Sequence, residues 1–543
     1  TSTNTAGAKS ATVTVPATSS ASLTGTYYLW IKAGTLSDVS GNTSNQVVSA
    51  LFKFDNTNPT VSVSTSKTTK SITAVATASA TSGISKYEFS KDNGTTWINN
   101  GTNKTYTFTG LTHNTSYNIK VRVTSGVSRQ NTSAVTATTT NIIPTPTYSS
   151  TNNGEVVISY PSGCGSTYTC TYIKDGGSPV TVTSNPTVYF GANGTLVAKV
   201  SDGVSTASAS TYSVVRNDLY VSSSGNDTTG YGTINKPYAT IQKAYDSANT
   251  TATIKIMNDL NISSSINFNA SKTITLTSYS TTGAVNTAKK AKAVNSVLLT
   301  VSAGALNLYN IVIDGNGIAD PGGLIEITND ASFSANNGVT IKNAVSTYLY
   351  GGAIRSAGYK RPIVIDGATF INNKAPGGGA ILSTNLTLKS GTVSNNTSTN
   401  GTGGGIYICG NLTINGGSIN ENTSTGSGGG IMFDGTVDVC KGTFTMTDGS
   451  IYNNKTPTSS GNGGGGILIS GEITATISGG SIYGNTSFQG GGIYIQPGGK
   501  LYFNGGKISS NTAADHGGGI LNWNGTYING GGVLTGNSPD NII

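Results

Sequence analysis

Charge is scarce in this chain: Asp, Glu, Lys and Arg make up 10% of its 543 residues, against about a quarter in an ordinary globular domain. Ser, Thr, Asn and Gly fill the gap, which separates the sequence from cytosolic enzymes and from charged disordered tails. Histidine is rarer still, with two residues in all. Neither lies near a cysteine, so a zinc centre has no ligand set. No apolar run approaches the roughly 18 residues that would cross a membrane as a helix. An initiator Met and a signal peptide are also lacking. Because the chain starts partway through what reads as a domain, the expectation is an excerpt of a longer secreted protein with its anchor elsewhere.

The formal charge of +8 is uneven: residues 1–217 carry +7 and residues 218–543 carry +1. The one basic run in the second part, "AKKAK" with Lys289, Lys290 and Lys292, has no interleaved aromatics and is expected to be a solvated loop. Nucleic-acid binding is excluded on the same ground. The four cysteines fall into two pairs, Cys164 with Cys170 and Cys409 with Cys440, and predict two disulfides in an oxidising, extracellular compartment.

Along the chain, short alternating strands come first. Residues 1–58 read as strand, turn and strand, in "ATVTV", "TYYLWIKA", a turn at Asp38 to Asn42, and "VVSALFKFD". They resemble the end of an immunoglobulin-like domain. Residues 59–143 carry a hairpin signal at Asn93-Gly94, and Leu111 and Tyr117 stand at the spacing of the tyrosine corner. This stretch resembles a fibronectin type III domain. Residues 144–217 read as a third sandwich, immunoglobulin-like, with Cys164 and Cys170 stapling a hairpin.

A different grammar begins at Asp218. Ile241, Ala244, Tyr245 and Ala248 share one helical face, and Thr240 is placed as its N-cap. This opening resembles the capped start of right-handed parallel β-helices, where a helix covers the first coil. Seven Gly-Gly phrases then lead into Ile354, Ile381, Ile406, Ile431, Ile467, Ile493 and Ile520, at spacings of 27, 25, 25, 36, 26 and 27. Each repeat closes on an apolar residue, two spacers and an asparagine: Asn373, Asn396, Asn422, Asn454, Asn485, Asn511, Asn537.

Repetition at this period means a solenoid. Three short strands in about 25 residues make one β-helical coil, each stacked ~4.8 Å above the last, and residues 250–543 would give roughly a dozen coils. Equivalent asparagines are expected to form an amide ladder. The predicted fold is all-β: tandem β-sandwich domains over residues 1–58, 59–143 and 144–217, followed by a right-handed parallel β-helix over 218–543 with an N-terminal capping helix. The Gly-Gly-Ile and apolar-x-x-Asn phrases resemble the repeats of the chlamydial polymorphic membrane proteins, which implies a bacterial cell-surface adhesin. Such a fold also hosts lyases, glycosidases and phage tailspikes.

The cap over residues 218–260 also resembles that of pectate lyases, which implies calcium held by carboxylates and a Lys or Arg base. The candidates are Asp314, Asp366, Lys360, Arg361 and Lys374. Asp314 and Asp366 are 52 residues apart and each precedes glycine, which favours a turn role. The facing carboxylates of a glycosidase are missing, and His516 beside Asp515 reads as a loop residue.

The position after each repeat isoleucine is the alternative site: Leu382, Tyr407, Met432, Leu468, Tyr494 and Leu521. If the isoleucines face inward, pleating turns these outward as one apolar stripe. The stripe then serves recognition or assembly, unless another part of the same polypeptide covers it or the facing is reversed. The expectation is a non-catalytic adhesin segment, with no cofactor and no metal. Its partner would be a host or bacterial surface protein or a glycan, with homo-oligomers allowed and no membrane insertion by this segment. The rivals are the calcium-dependent polysaccharide lyase or glycan-binding β-helix, and a structural stalk or fibre subunit.

Overall fold

The computed structural model describes residues 24–34, 37, 40–49, 52–150, 154–203, 205–291, 294, 296–348, 350–356, 362–459, 461 and 463–543. The chain forms two compact units, one of residues 1–145 with 166–169 and 200–207, the other of the remainder. In the first unit, Thr24–Tyr27 pairs antiparallel with Phe52–Asp55, and Trp30–Ile31 with Val47–Val48. The predicted strand "ATVTV" and residues 38–39 of the expected turn lie outside the described residues.

Residues 60–138 build a seven-stranded sandwich. Thr60–Lys67, Ile72–Ser79 and Thr105–Phe108 form one sheet; Ile84–Ser90, Ile98–Asn99, Ser116–Ser125 and Gln130–Thr138 form the other. Alternation sends Ile72 and Ala74 from the first sheet, and Ile119, Val121 and Val123 from the second, into one core with Phe89 and Phe108. The Tyr117 hydroxyl accepts the Thr112 N–H at 3.0 Å, and Leu111 is buried beside it. That is the tyrosine corner, and with the three-plus-four strand order it makes this a fibronectin type III-like domain. Asn93 and Gly94 both take positive φ in the predicted turn.

The strands of residues 147–214 belong largely to the second unit, in one compact body with the solenoid. Thr147–Ser150, Glu155–Ser159 and Thr187–Tyr189 form an antiparallel sheet, and Thr169–Lys174 pairs with Val180–Val182. Cys164 and Cys170 are disulfide-bonded. Arg216 then fastens sandwich to solenoid: its buried guanidinium donates to the carbonyls of Phe190, Tyr231, Asp218 and Gly232. Burial away from water holds the Arg216 pKa below its ordinary value. Glu155 reinforces the joint by accepting from the Asn235 amide at 2.7 Å.

From Asp218 the chain is a right-handed parallel β-helix with a capping helix, Ile241–Ser247. Thr240 caps that helix by accepting the Lys243 N–H at 3.1 Å, and Ile241, Ala244 and Tyr245 are buried against the first coil. Gln242 does a strand's work there: its amide accepts the Asn267 N–H at 2.7 Å and donates to the Asn267 carbonyl at 3.3 Å. The otherwise bare edge of the first coil is thereby partly paired.

Coils stack in register. The isoleucine column runs Ile354, Ile381, Ile406, Ile431, Ile467, Ile493, Ile520, all inside the core. With the levels at Ile266–Phe268, Leu299–Val301 and Ile325–Ile327 below it, this column has ten levels among the described residues. The neighbouring column, from Asp218–Val221 through Thr251–Ile256 up to Thr526–Asn529, has twelve levels among the described residues, eleven of them from residue 251 onward, so the roughly dozen coils expected from length are there.

The predicted amide ladder is continuous. Each of Asn373, Asn396, Asn422, Asn454, Asn485 and Asn511 donates its backbone N–H and its side-chain amide to the Oδ1 of the next asparagine, and Asn537 passes the same two bonds on to Asn541. The second amide hydrogen goes to a backbone carbonyl one coil back, as from Asn454 to Ile419 at 2.9 Å. A buried carboxamide with every group paired stabilises; with one missing partner it would cost.

One expectation is corrected here. Lys290 of the basic run is buried rather than solvated, because Thr287–Lys290 alternates and turns Ala288 and Lys290 inward. It meets Asp320 in the interior. Lys289 stays half-buried and Lys292 lies outside the described residues.

Candidate binding face

The outward position after each repeat isoleucine forms its own column: Leu382, Tyr407, Met432, Leu468, Tyr494 and Leu521 pair in sequence, coil upon coil. These side chains are separate from the main core, so the inward facing of the isoleucines holds. They are nevertheless covered. Leu468 is 2% exposed, Tyr494 6%, Leu382 and Leu521 8%, while Tyr407 and Met432 are half-buried.

The cover is the glycine turn that precedes each isoleucine. Gly490, at φ +60°, lies so close to Tyr494 that an added Cβ would stand 2.7 Å from the tyrosine Cβ. Only glycine both adopts that left-handed conformation cheaply and leaves room for the ring. Against Gly463 the clearance is smaller still, 2.0 Å to the Tyr494 ring. The stripe is thus a second apolar layer under its own chain, one of the alternatives the sequence left open.

The half-buried part of the column carries a polar contact. The Tyr407 hydroxyl donates to Asp434 Oδ2 at 2.6 Å, and the Tyr350 ring meets Tyr407 edge-on at 5.3 Å. Burial, then the bond to Asp434, pushes the Tyr407 hydroxyl well above its usual range. For Asp434 burial acts upward, but hydrogen bonds from Thr436 and Tyr407 outweigh it and hold the carboxyl below its ordinary value.

Asp434 opens a loop the sequence marked only by the longer repeat of 36 residues. Here Cys409 and Cys440 are disulfide-bonded. The Cys440 N–H closes a turn on the Val437 carbonyl at 2.9 Å, Asp434 holds the Thr436 N–H at 3.2 Å, and Lys441 reaches Asp438 at 2.8 Å and Glu472 at 2.7 Å. At the tip Val437 is 51% exposed and Val439 83%. A loop closed by a disulfide and tied by hydrogen bonds and ion pairs thus holds apolar side chains out in water. Trp523, on the corresponding turn three coils on, is also exposed and stacks near Tyr494 at 6.4 Å.

The lyase candidates do not converge. Asp314 is buried opposite Lys289 and Lys342 in the third-strand column, accepts from Asn343 at 3.0 Å, and lies 3.6 Å from the Lys342 ammonium. Asp366 stands opposite Asn336 at the end of a different column, accepts from Ser390 at 2.9 Å, and lies 3.7 Å from Lys389. Lys374 is exposed on a third column, beside Val345 and Thr397. Lys360 and Arg361 lie outside the described residues. His516 is exposed and 3.3 Å from Asp515. Among the described residues no cluster of three or more His, Cys, Asp or Glu could hold a metal ion, and no helix is long and apolar enough to cross a membrane.

No family model and no curated protein matches the chain. Solved structures similar to it are the fibronectin(III)-like modules of Clostridium thermocellum CbhA, at 17% identity over 29% of this chain and 94% of that one, TM-score 0.20. A two-domain fibronectin type III segment of chicken tenascin follows at 14% identity, 29% and 97% coverage and TM-score 0.20. Chicken CNTN1 domains FN1–FN3 match at 12% identity, 33% and 73% coverage and TM-score 0.19. The geometry of the chain itself establishes a fibronectin type III-like domain, β-rich repeats and two disulfides.

Proposed function

We propose that the chain is a non-catalytic adhesive segment of a bacterial cell-surface protein, in which β-sandwich domains carry a stiff β-helical rod that touches a glycan or protein partner. The observation that carries this reading is the clipped loop 434–441: a disulfide, an Asx turn and a two-way lysine bridge hold Val437 and Val439 exposed. Pre-ordering a loop lowers the entropy lost on binding, and it has no comparable use in a passive spacer. The covered stripe from Leu382 to Leu521 moves from contact surface to reinforcement of the rod.

A structural stalk or fibre subunit is the second reading, favoured by that same burial of the stripe. Binding of the fluorescently labelled chain to host-type cells and to immobilised glycans separates the two. Saturable binding that falls at least tenfold in a Val437→Ser/Val439→Ser variant supports the adhesive reading; no binding to any surface supports the stalk. The lyase reading would require Asp314 and Asp366 to share one groove, and their separate columns and lysine partners weigh against it.

A further inference from the structure

Lys290 and Asp320 form the most deeply buried ion pair among the described residues, with side chains 1% and 2% exposed. They come from different coils, 30 residues apart in sequence, and Lys290 stacks on Ile262 of the coil below. The Lys290 Nζ touches Asp320 Oδ2 and donates to the Ser296 carbonyl at 2.6 Å. The other carboxylate oxygen, Oδ1, accepts the backbone N–H groups of Gly322 at 2.7 Å and Gly323 at 2.9 Å.

Two charges buried this deeply are costly. Attack by the amine requires one Nζ proton to move first to Oδ2, which leaves an amine beside a carboxylic acid. The nucleophile then sits on Oδ2, one bond from the acyl carbon. Two N–H donors are already aimed at the oxygen on which negative charge would develop.

We propose that Lys290 and Asp320 condense into an intramolecular amide. The Nζ lone pair attacks Cγ, and charge gathers on Oδ1 under the Gly322 and Gly323 N–H groups. A second Nζ proton passes to Oδ2, which leaves as water. One C–N bond forms, one C–O bond breaks, and an ammonium plus a carboxylate become an amide plus water with no oxidant or co-reactant. The product fits its surroundings: the amide oxygen keeps the two glycine N–H bonds, and the remaining N–H keeps the Ser296 carbonyl. A neutral covalent staple then joins two coils near the capped end of the rod.

Intact mass of the folded full chain, reduced and then denatured, tests this. The expected mass is about 18 Da below that of the reduced sequence, one water lost. Digestion should then yield a branched peptide joining Lys290 to Asp320. Asp-Gly pairs such as Asp314-Gly315 can also lose water by cyclising, so the branched peptide, absent from a Lys290→Met variant, is the deciding signal. A folded wild-type chain at full sequence mass, with Lys290 in a linear peptide and open to amine-acylating reagent after denaturation, would overturn the proposal.

Discussion

Asn396 places its backbone N–H and its side-chain amide on the single Oδ1 of Asn422, at 3.0 and 2.9 Å. The same two bonds repeat up the rod, so each asparagine is at once acceptor for the coil below and donor to the coil above. Replacing a middle member removes an acceptor from two buried donors and a donor from a buried carbonyl. Asn454→Ala is therefore expected to destabilise the solenoid by about 2–5 kcal/mol. Urea unfolding of the variant against wild type measures it, and a loss within about 0.5 kcal/mol, ordinary for a surface site, would show the ladder to be decoration.

The residue before each ladder asparagine is left-handed. Gly484 and Gly536 satisfy this cheaply at φ +64°, whereas Ser510 takes φ +55° with a Cβ. Ser510→Gly should raise stability by up to about 1 kcal/mol, the strain released less the added chain entropy. A β-branched substitution there, Ser510→Val, should lower it. The two thermal melts must move in opposite directions.

Burial separates the stripe from the clipped loop. Leu468→Ala, in a side chain 2% exposed, is expected to cost about 2–5 kcal/mol by leaving a cavity. Val439→Ser at the loop tip should change stability by no more than about 0.5 kcal/mol while weakening surface binding. If Leu468→Ala were neutral, the stripe would be open after all.

Asp55 gives the first unit an acid limit. Hydrogen bonds from the Thr57 and Ser82 hydroxyls, with the Ser82 and Thr57 N–H groups, hold its carboxyl at about 2, below the 3.8 of a free side chain. A depressed folded pKa contributes stability that is complete above the unfolded value and is lost as pH falls through the folded one. Wild-type stability should therefore decline between about pH 4 and pH 2, with a shallower decline in Asp55→Ala. Denaturant titrations at stepped pH read this directly, and parallel curves would remove Asp55 as the cause.

Much of this was legible in the sequence, because backbone periodicity repeats. The isoleucine spacing gave the coil, the terminal asparagines gave the ladder, and Leu111 with Tyr117 gave the fibronectin-like corner. Exposure was not legible. Whether Tyr494 faces water depends on how closely Gly490 and Gly463 pass over it, and that is a tertiary distance. Lys290 misled because a lysine in a basic run carries no mark of the aspartate that meets it 30 residues later. Arg216 and Gln242 acted on backbone groups, which leave no pattern at all.

The adhesive account is tested most directly by incubating the chain, with calcium, against uronate-containing and host-type glycans and following both by size-exclusion chromatography. The account predicts glycans of unchanged length, with at least one ligand co-migrating with the protein and released by the Val437→Ser/Val439→Ser variant. Shortened glycan would contradict it and make Asp314 and Asp366 the first residues to replace.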